Sequence, residues 1–183
     1  MPSESPRSTQ KNQSGITLVE VMLATIILVI GSLSIAALVS TAIATNNRNK
    51  LDSTGTMLTQ SVIELVKSTI IGSGTSSLVD CTGTTWTIDT APGGAALSGS
   101  NIDFSETSPP VDYHMNYMVR SPCTSLGAEI TTYDVRWHIE NVGASASTPT
   151  NTFLITVGAR MQHHSEGNLF YSLPVTFRVM AGN

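Results

Sequence analysis

Charge is scarce in this chain. Asp, Glu, Lys and Arg make up 12% of its 183 residues, about half the usual quarter. Nine basic residues against 13 acidic ones leave a net charge of −4. That balance speaks against a nucleic-acid partner, whose binding rests on basic patches that neutralise phosphates. Cysteine is scarcer: Cys81 and Cys123, with four histidines, leave little for a zinc cluster. Proline is absent between Pro6 and Pro92, so nothing there forces a helix to break. Disorder is excluded from the other side, because 40% hydrophobic residues supply a core. The length suits one domain, or one small domain with an extension.

What the chain has in excess is one uncharged run. Residues Val21 to Asn47, 27 in all, carry no charge, and as a helix they extend roughly 40 Å at about 1.5 Å per residue. The richest part, Val21 to Val39, reads VMLATIILVIGSLSIAALV. It is long enough to span a bilayer core, which takes about 20 apolar residues. Gly31, Ser32 and Ser34 form a soft spot within it. A cleaved secretory signal is one reading, with Ala42-Ile43-Ala44 as a small-residue cut site. Against it, Glu4, Arg7, Lys11 and Glu20 sum to zero where a signal has a positive start. A plain single-span anchor is a second reading, and it leaves the block in front of the run unexplained.

That block is Ser14-Gly15-Ile16-Thr17-Leu18-Val19-Glu20. Followed by an uncharged helix, it resembles the processing signal of type IV pilins and pseudopilins. The resemblance implies a polar leader, residues 1–15, that a prepilin peptidase removes by cutting between Gly15 and Ile16. It implies N-methylation of Ile16 and a role for Glu20 in assembly. Ile16 departs from the family, where Phe is usual, but both are bulky and apolar. A carboxylate beside lipid or inside a helical bundle is costly unless paired. In the family its partner is the N-terminal amine of a neighbouring subunit. The plainer alternative is that Glu20 marks the membrane edge. Arg7 and Lys11 before the run balance Arg48 and Lys50 after it, so orientation rests on the resemblance.

Beyond the run (16–47) the helical period continues. Leu51, Gly55, Leu58, Val62, Leu65 and Thr69 recur at spacings of four and three, with Val66 and Ile70 widening the stripe. Lys50, Asp52, Gln60, Glu64 and Lys67 occupy the other face. Gly72-Ser73-Gly74 ends a helix of about 50 residues, whose amphipathic half is 48–71. A globular β domain, 72–183, follows. Its first part, to Pro109-Pro110, reads as loop with one short strand at Thr84–Thr90. From Val111 the period becomes two. Val111 to Val119, Tyr133 to Ile139, Phe153 to Met161 and Leu169 to Val179 each alternate apolar with polar residues. Four strands with one apolar and one polar face predict an antiparallel meander, with Pro174 marking an edge or a bulge. The amphipathic helix is the available cover, so the expected class is α+β: a long helix with its second half lying across a four-stranded sheet.

That order of elements is also that of pilins, and the strand pattern looks most like PilV-type minor pilins. The type II secretion pseudopilins are the nearby alternative. The resemblance implies a single-pass inner-membrane protein with a periplasmic domain, whose partners are the prepilin peptidase, other pilin subunits and the membrane. In an oxidising periplasm Cys81 and Cys123 are disulfide candidates, with two free thiols as the alternative. A bond closing about 43 residues is worth roughly 4 kcal/mol in the chain-entropy model. His114 and His138 are expected on solvent-facing strand faces and His163-His164 at a loop tip, with no metal-ligand spacing among them. No nucleophile elbow, phosphate loop or dinucleotide fingerprint occurs. Neither an enzyme nor a cofactor is expected. The rival of another class is a membrane-tethered binding domain that never polymerises.

Overall fold

The computed structural model describes residues 15–69, 71–72, 74–120, 123, 130–143, 151–164 and 173–182. The leader up to Ser14, and with it Arg7 and Lys11, lies outside the described residues, as do Ile70, Ser73, Leu169 and Tyr171. One helix, α1 (Leu18–Ser68, 51 residues), agrees with the expected length and end. The chain divides into two compact units between Thr45 and Asn46.

In the first unit, α1 starts at Thr17, whose hydroxyl accepts a hydrogen bond from the Glu20 amide at 3.3 Å. The same amide also donates to Thr17 O at 3.0 Å, so both the hydroxyl and the carbonyl of Thr17 hold this first-turn donor. The helix runs unbroken through Gly31. Every side chain from Ile16 to Ile43 is exposed, and the segment is long and apolar enough to cross a membrane. Its hydroxyls are satisfied internally: Ser32, Ser34, Thr41 and Thr45 each donate to the carbonyl four residues back, at 2.7–3.0 Å. These four hydroxyls therefore add no unpaired donor to the apolar surface.

In the second unit, the rest of α1 buries Gly55, Leu58, Thr59, Val62, Ile63 and Val66. These recur at three and four, one face of a helix. The stripe is rotated from the expected one: Thr59 and Ile63 are inside, while Leu51 and Leu65 are half-buried. Thr59 is accommodated because its hydroxyl bonds back to Thr56 O at 2.8 Å and Gly55 O at 3.2 Å.

The stripe packs on an antiparallel sheet. β6 (His114–Arg120), β7 (Ile130–Asn141), β8 (Thr152–His164) and β9 (Val175–Gly182) follow one another as neighbours. The apolar face was legible: Met115, Tyr133, Val135, Trp137, Ile139, Phe153, Ile155, Val157 and Ala159 form one core with Leu58, Val62, Ile63 and Val66. The Tyr133 hydroxyl donates to Leu51 O at 2.9 Å, and Gly55 leaves room for its ring, 3.6 Å from where a Cβ would stand. β9 begins just after Pro174 and forms the sheet edge.

Three expectations are corrected. Among the described residues the sheet has five strands, not four, because β3 (Gly93–Gly94) pairs with His138 and Ile139 of β7, beyond the stretch that β6 occupies. Both glycines have positive φ, 132° and 120°. At Gly94 a Cβ would also strike the Trp137 carbonyl oxygen and come within 2.8 Å of the Tyr113 ring. A strand of two glycines carries no alternation to read. The region read as loop with one short strand holds two hairpins: the expected strand is β2 (Thr85–Asp89), which pairs with the unexpected β1 (Thr75–Val79), and β4 (Leu97–Ser98) pairs with β5 (Asn101–Ile102). Finally, β7 is buried on both faces, since Asp134 and Arg136 are 1% and 6% exposed. The face read as polar and solvent-facing is covered there by residues 95–106.

Candidate functional site

Gly15, Ile16 and Glu20 lie on the exposed N-terminal stretch. A Cβ at Gly15 would meet nothing within 4 Å, and its φ lies outside the region that favours glycine. Packing and backbone thus leave the choice of glycine there unexplained. Glu20 stands in the first turn of α1, where a negative charge favours the helix dipole. Its carboxylate has no partner among the described residues. Ile16, Glu20, Val21, Ala24, Thr25 and Leu28 line one shallow groove along the helix, and Glu20 is the only charge in it. The Thr17-x-x-Glu20 spacing of a capping box is in the sequence, but only its Thr17 half forms: the Glu20 backbone amide donates to the Thr17 hydroxyl.

Cys81 and Cys123 form a disulfide, with Cα atoms 5.0 Å apart. The bond ties the β1–β2 hairpin to the end of β6. Two hydrogen bonds reinforce it: the Cys81 amide donates to Met118 O at 3.2 Å, and the Tyr117 hydroxyl donates to Val79 O at 2.9 Å. Asp80 organises the turn between β1 and β2. Its Oδ1 accepts from the Thr82 amide (2.8 Å), the Thr82 hydroxyl (2.6 Å) and the Thr84 amide (3.0 Å). Its Oδ2 accepts from Trp86 Nε1 at 3.2 Å. Burial by itself raises the Asp80 pKa, but the hydrogen bonds from Thr82, Trp86 and Thr84 outweigh it and hold the carboxyl below its ordinary range.

A charged cluster that sequence reasoning missed lies on the outer face of β7 and β8. Asp134 takes a two-pronged contact from Arg136, at 2.8 and 2.9 Å, and a third hydrogen bond from Arg160 at 3.2 Å. The Arg136 guanidinium also donates to Asp103 O (3.2 Å) and Glu106 O (2.9 Å). Both guanidiniums stack on the Phe104 ring, 5.4 and 4.9 Å from its centroid. The alternation on β7 placed Asp134 and Arg136 on one face, but no local signal says that residues 103–106 return to cover it.

His114 and His138 are half-buried rather than solvent-exposed, each with Nδ1 donating to a carbonyl: Pro110 O at 2.9 Å and Ala95 O at 2.8 Å. His163 and His164 pair through their backbone with Thr132 and Thr131 at the end of β8, not in a loop tip. Among the described residues no group of three or more His, Cys, Asp or Glu is placed to hold a metal ion. Comparison of the chain with protein-family models, with curated proteins and with solved structures finds no match.

Proposed function

We propose that this chain is a type IV pilin-like subunit of the minor-pilin kind. A prepilin peptidase cuts it between Gly15 and Ile16, Ile16 is N-methylated, and the helix carries it from the inner membrane into a pilus. The observation behind this reading is the bare helix. From Ile16 to Ile43 all side chains are exposed and the sole charge is an unpartnered carboxylate one turn in. Such a surface is stable in lipid or against other helices, not in water. Glu20 there needs a cation, and an N-terminal amine created at Ile16 of a neighbouring subunit supplies one. Gly15 supports the same reading, because a peptidase that must approach the scissile backbone closely has a reason to require glycine where the fold has none.

N-terminal sequencing and intact mass of the membrane-extracted protein test the proposal. A mature chain starting at methylated Ile16 is expected, and Gly15→Ala should retain the leader. An intact Met1 start, or a cut after Ala44, identifies a tethered or secreted domain instead. Cleavage of Gly15→Ala at the normal rate would remove the peptidase assignment.

A further inference from the structure

Residues 95–106 lie across the outer face of β7 and β8 in an unusual balance of forces. Ile102 is 5% exposed, yet neither it nor Ala95 belongs to the core that α1 covers. Ile102 and Phe104 sit over Gly158, where a Cβ would be 3.0–3.1 Å from each, so glycine lets them seat closely and a larger residue would have to push them back. The remaining attachments are polar. The Ala95 amide donates to Trp137 O at 2.9 Å, and Arg136 holds the 103 and 106 carbonyls. Inside the segment, the Asp103 amide donates to Ala96 O at 2.8 Å and the Ala96 amide to Glu106 Oε2 at 2.9 Å. Beneath it lie Asp134, Arg136, Thr156, Gly158 and Arg160, a hydrophilic set that water can solvate.

We infer that residues 95–106 are a charge-locked strap that opens as a unit while the helix–sheet core stays folded. Its buried apolar residues, Ala95 and Ile102, are not members of the main core, so lifting it uncovers those two and takes none of its residues out of that core. It exposes ions whose desolvation offsets much of their attraction in the closed state, so opening costs far less than global unfolding. The lock is the Arg136–Phe104–Arg160 stack over Asp134. Its rim is wet, since the Arg160 side chain is 36% and that of Glu106 24% exposed, and salt therefore reaches it. The open state presents two arginines and one aspartate on a sheet face that is closed in the resting protein. The inference does not depend on the pilin reading.

Native-state hydrogen exchange on the full chain in detergent micelles tests it, with site-resolved amides and the variants Arg160→Gln and Phe104→Ala. The Ala95 amide should exchange before the β7–β8 ladder amides. Each variant, and 1 M salt on the order of a threefold shorter Debye length, should speed Ala95 by roughly tenfold or more and leave the ladder unchanged. Arg160→Gln keeps a polar stem at the half-exposed rim, so it remains informative if Phe104→Ala perturbs the fold. Ala95 exchanging in step with the ladder would overturn the strap. Early exchange indifferent to salt and to both variants would overturn the charge lock.

Discussion

Asp80 and Tyr133 are two buried polar groups with opposite consequences for pH. Four hydrogen bonds lower the Asp80 pKa, so the stability it supplies is fully present above its ordinary 3.8 and is lost as pH falls through the lower folded value. Asp80→Ala should cost about 1–3 kcal/mol, because the Thr82, Thr84 and Trp86 donors lose their shared acceptor. Urea melts at pH 7 and pH 3 check both statements, and the variant's penalty should shrink at the lower pH. Burial pushes the Tyr133 hydroxyl up to about 12. Its contribution is fully present below the ordinary 10.0 and is lost as pH rises toward that folded value. The loss approaches roughly 2–3 kcal/mol, and Tyr133→Phe should flatten this part of the alkaline stability profile. Glu20 belongs to the same scale, and on the proposed pilin reading it acts outside the monomer. Glu20→Ala should insert and mature normally, since removing a carboxylate improves a membrane span, yet be depleted from sheared filaments. Normal amounts of the variant there would refute the pairing role.

At the scale of elements, the two parts of α1 answer to different partners. From Asn46 onward the helix belongs to the same compact unit as the sheet. A fragment beginning at Asn46 should therefore be soluble and unfold cooperatively. A fragment beginning at Ile71 loses Leu58, Val62, Ile63 and Val66, about 1.5–3 kcal/mol for each large side chain. That approaches a domain's whole stability of about 5–15 kcal/mol, and it bares Tyr133, Val135, Trp137, Ile155 and Val157. It should aggregate. Equal thermal transitions of the two fragments by circular dichroism would show that the helix contributes nothing to the sheet. The disulfide acts on another element. Cys81→Ser with Cys123→Ser should lower stability by up to roughly 4 kcal/mol in the chain-entropy model, and the loosening should concentrate in the β1–β2 hairpin. Thermal melts and proteolysis of the reduced-equivalent variant measure this.

At the scale of the molecule, the chain is α+β, with a long apolar helix and an antiparallel sheet, and that much was legible in residue order. Period four-and-three from Leu51 and period two from Val111 are local consequences of how side chains leave a helix and a strand, so they survive in the sequence without the fold. The core face and the uncharged run are determined in the same way, whereas Pro174 leaves an edge or a bulge open and the pairing makes β9 the edge. What only the tertiary structure decided depends on segments distant in the chain meeting. Gly93 and Gly94 form a strand because they meet Ile139 and His138 of β7, and the Trp137 carbonyl leaves no room for a side chain at Gly94. Asp134 and Arg136, polar by alternation, are buried because residues 103–106 fold back 30 positions to cap them. Cys81 reaches Cys123 because β1–β2 lies against the end of β6. Periodicity records which way a side chain points. It does not record what arrives on the other side, and for these residues the arriving segment sets burial, pairing and charge.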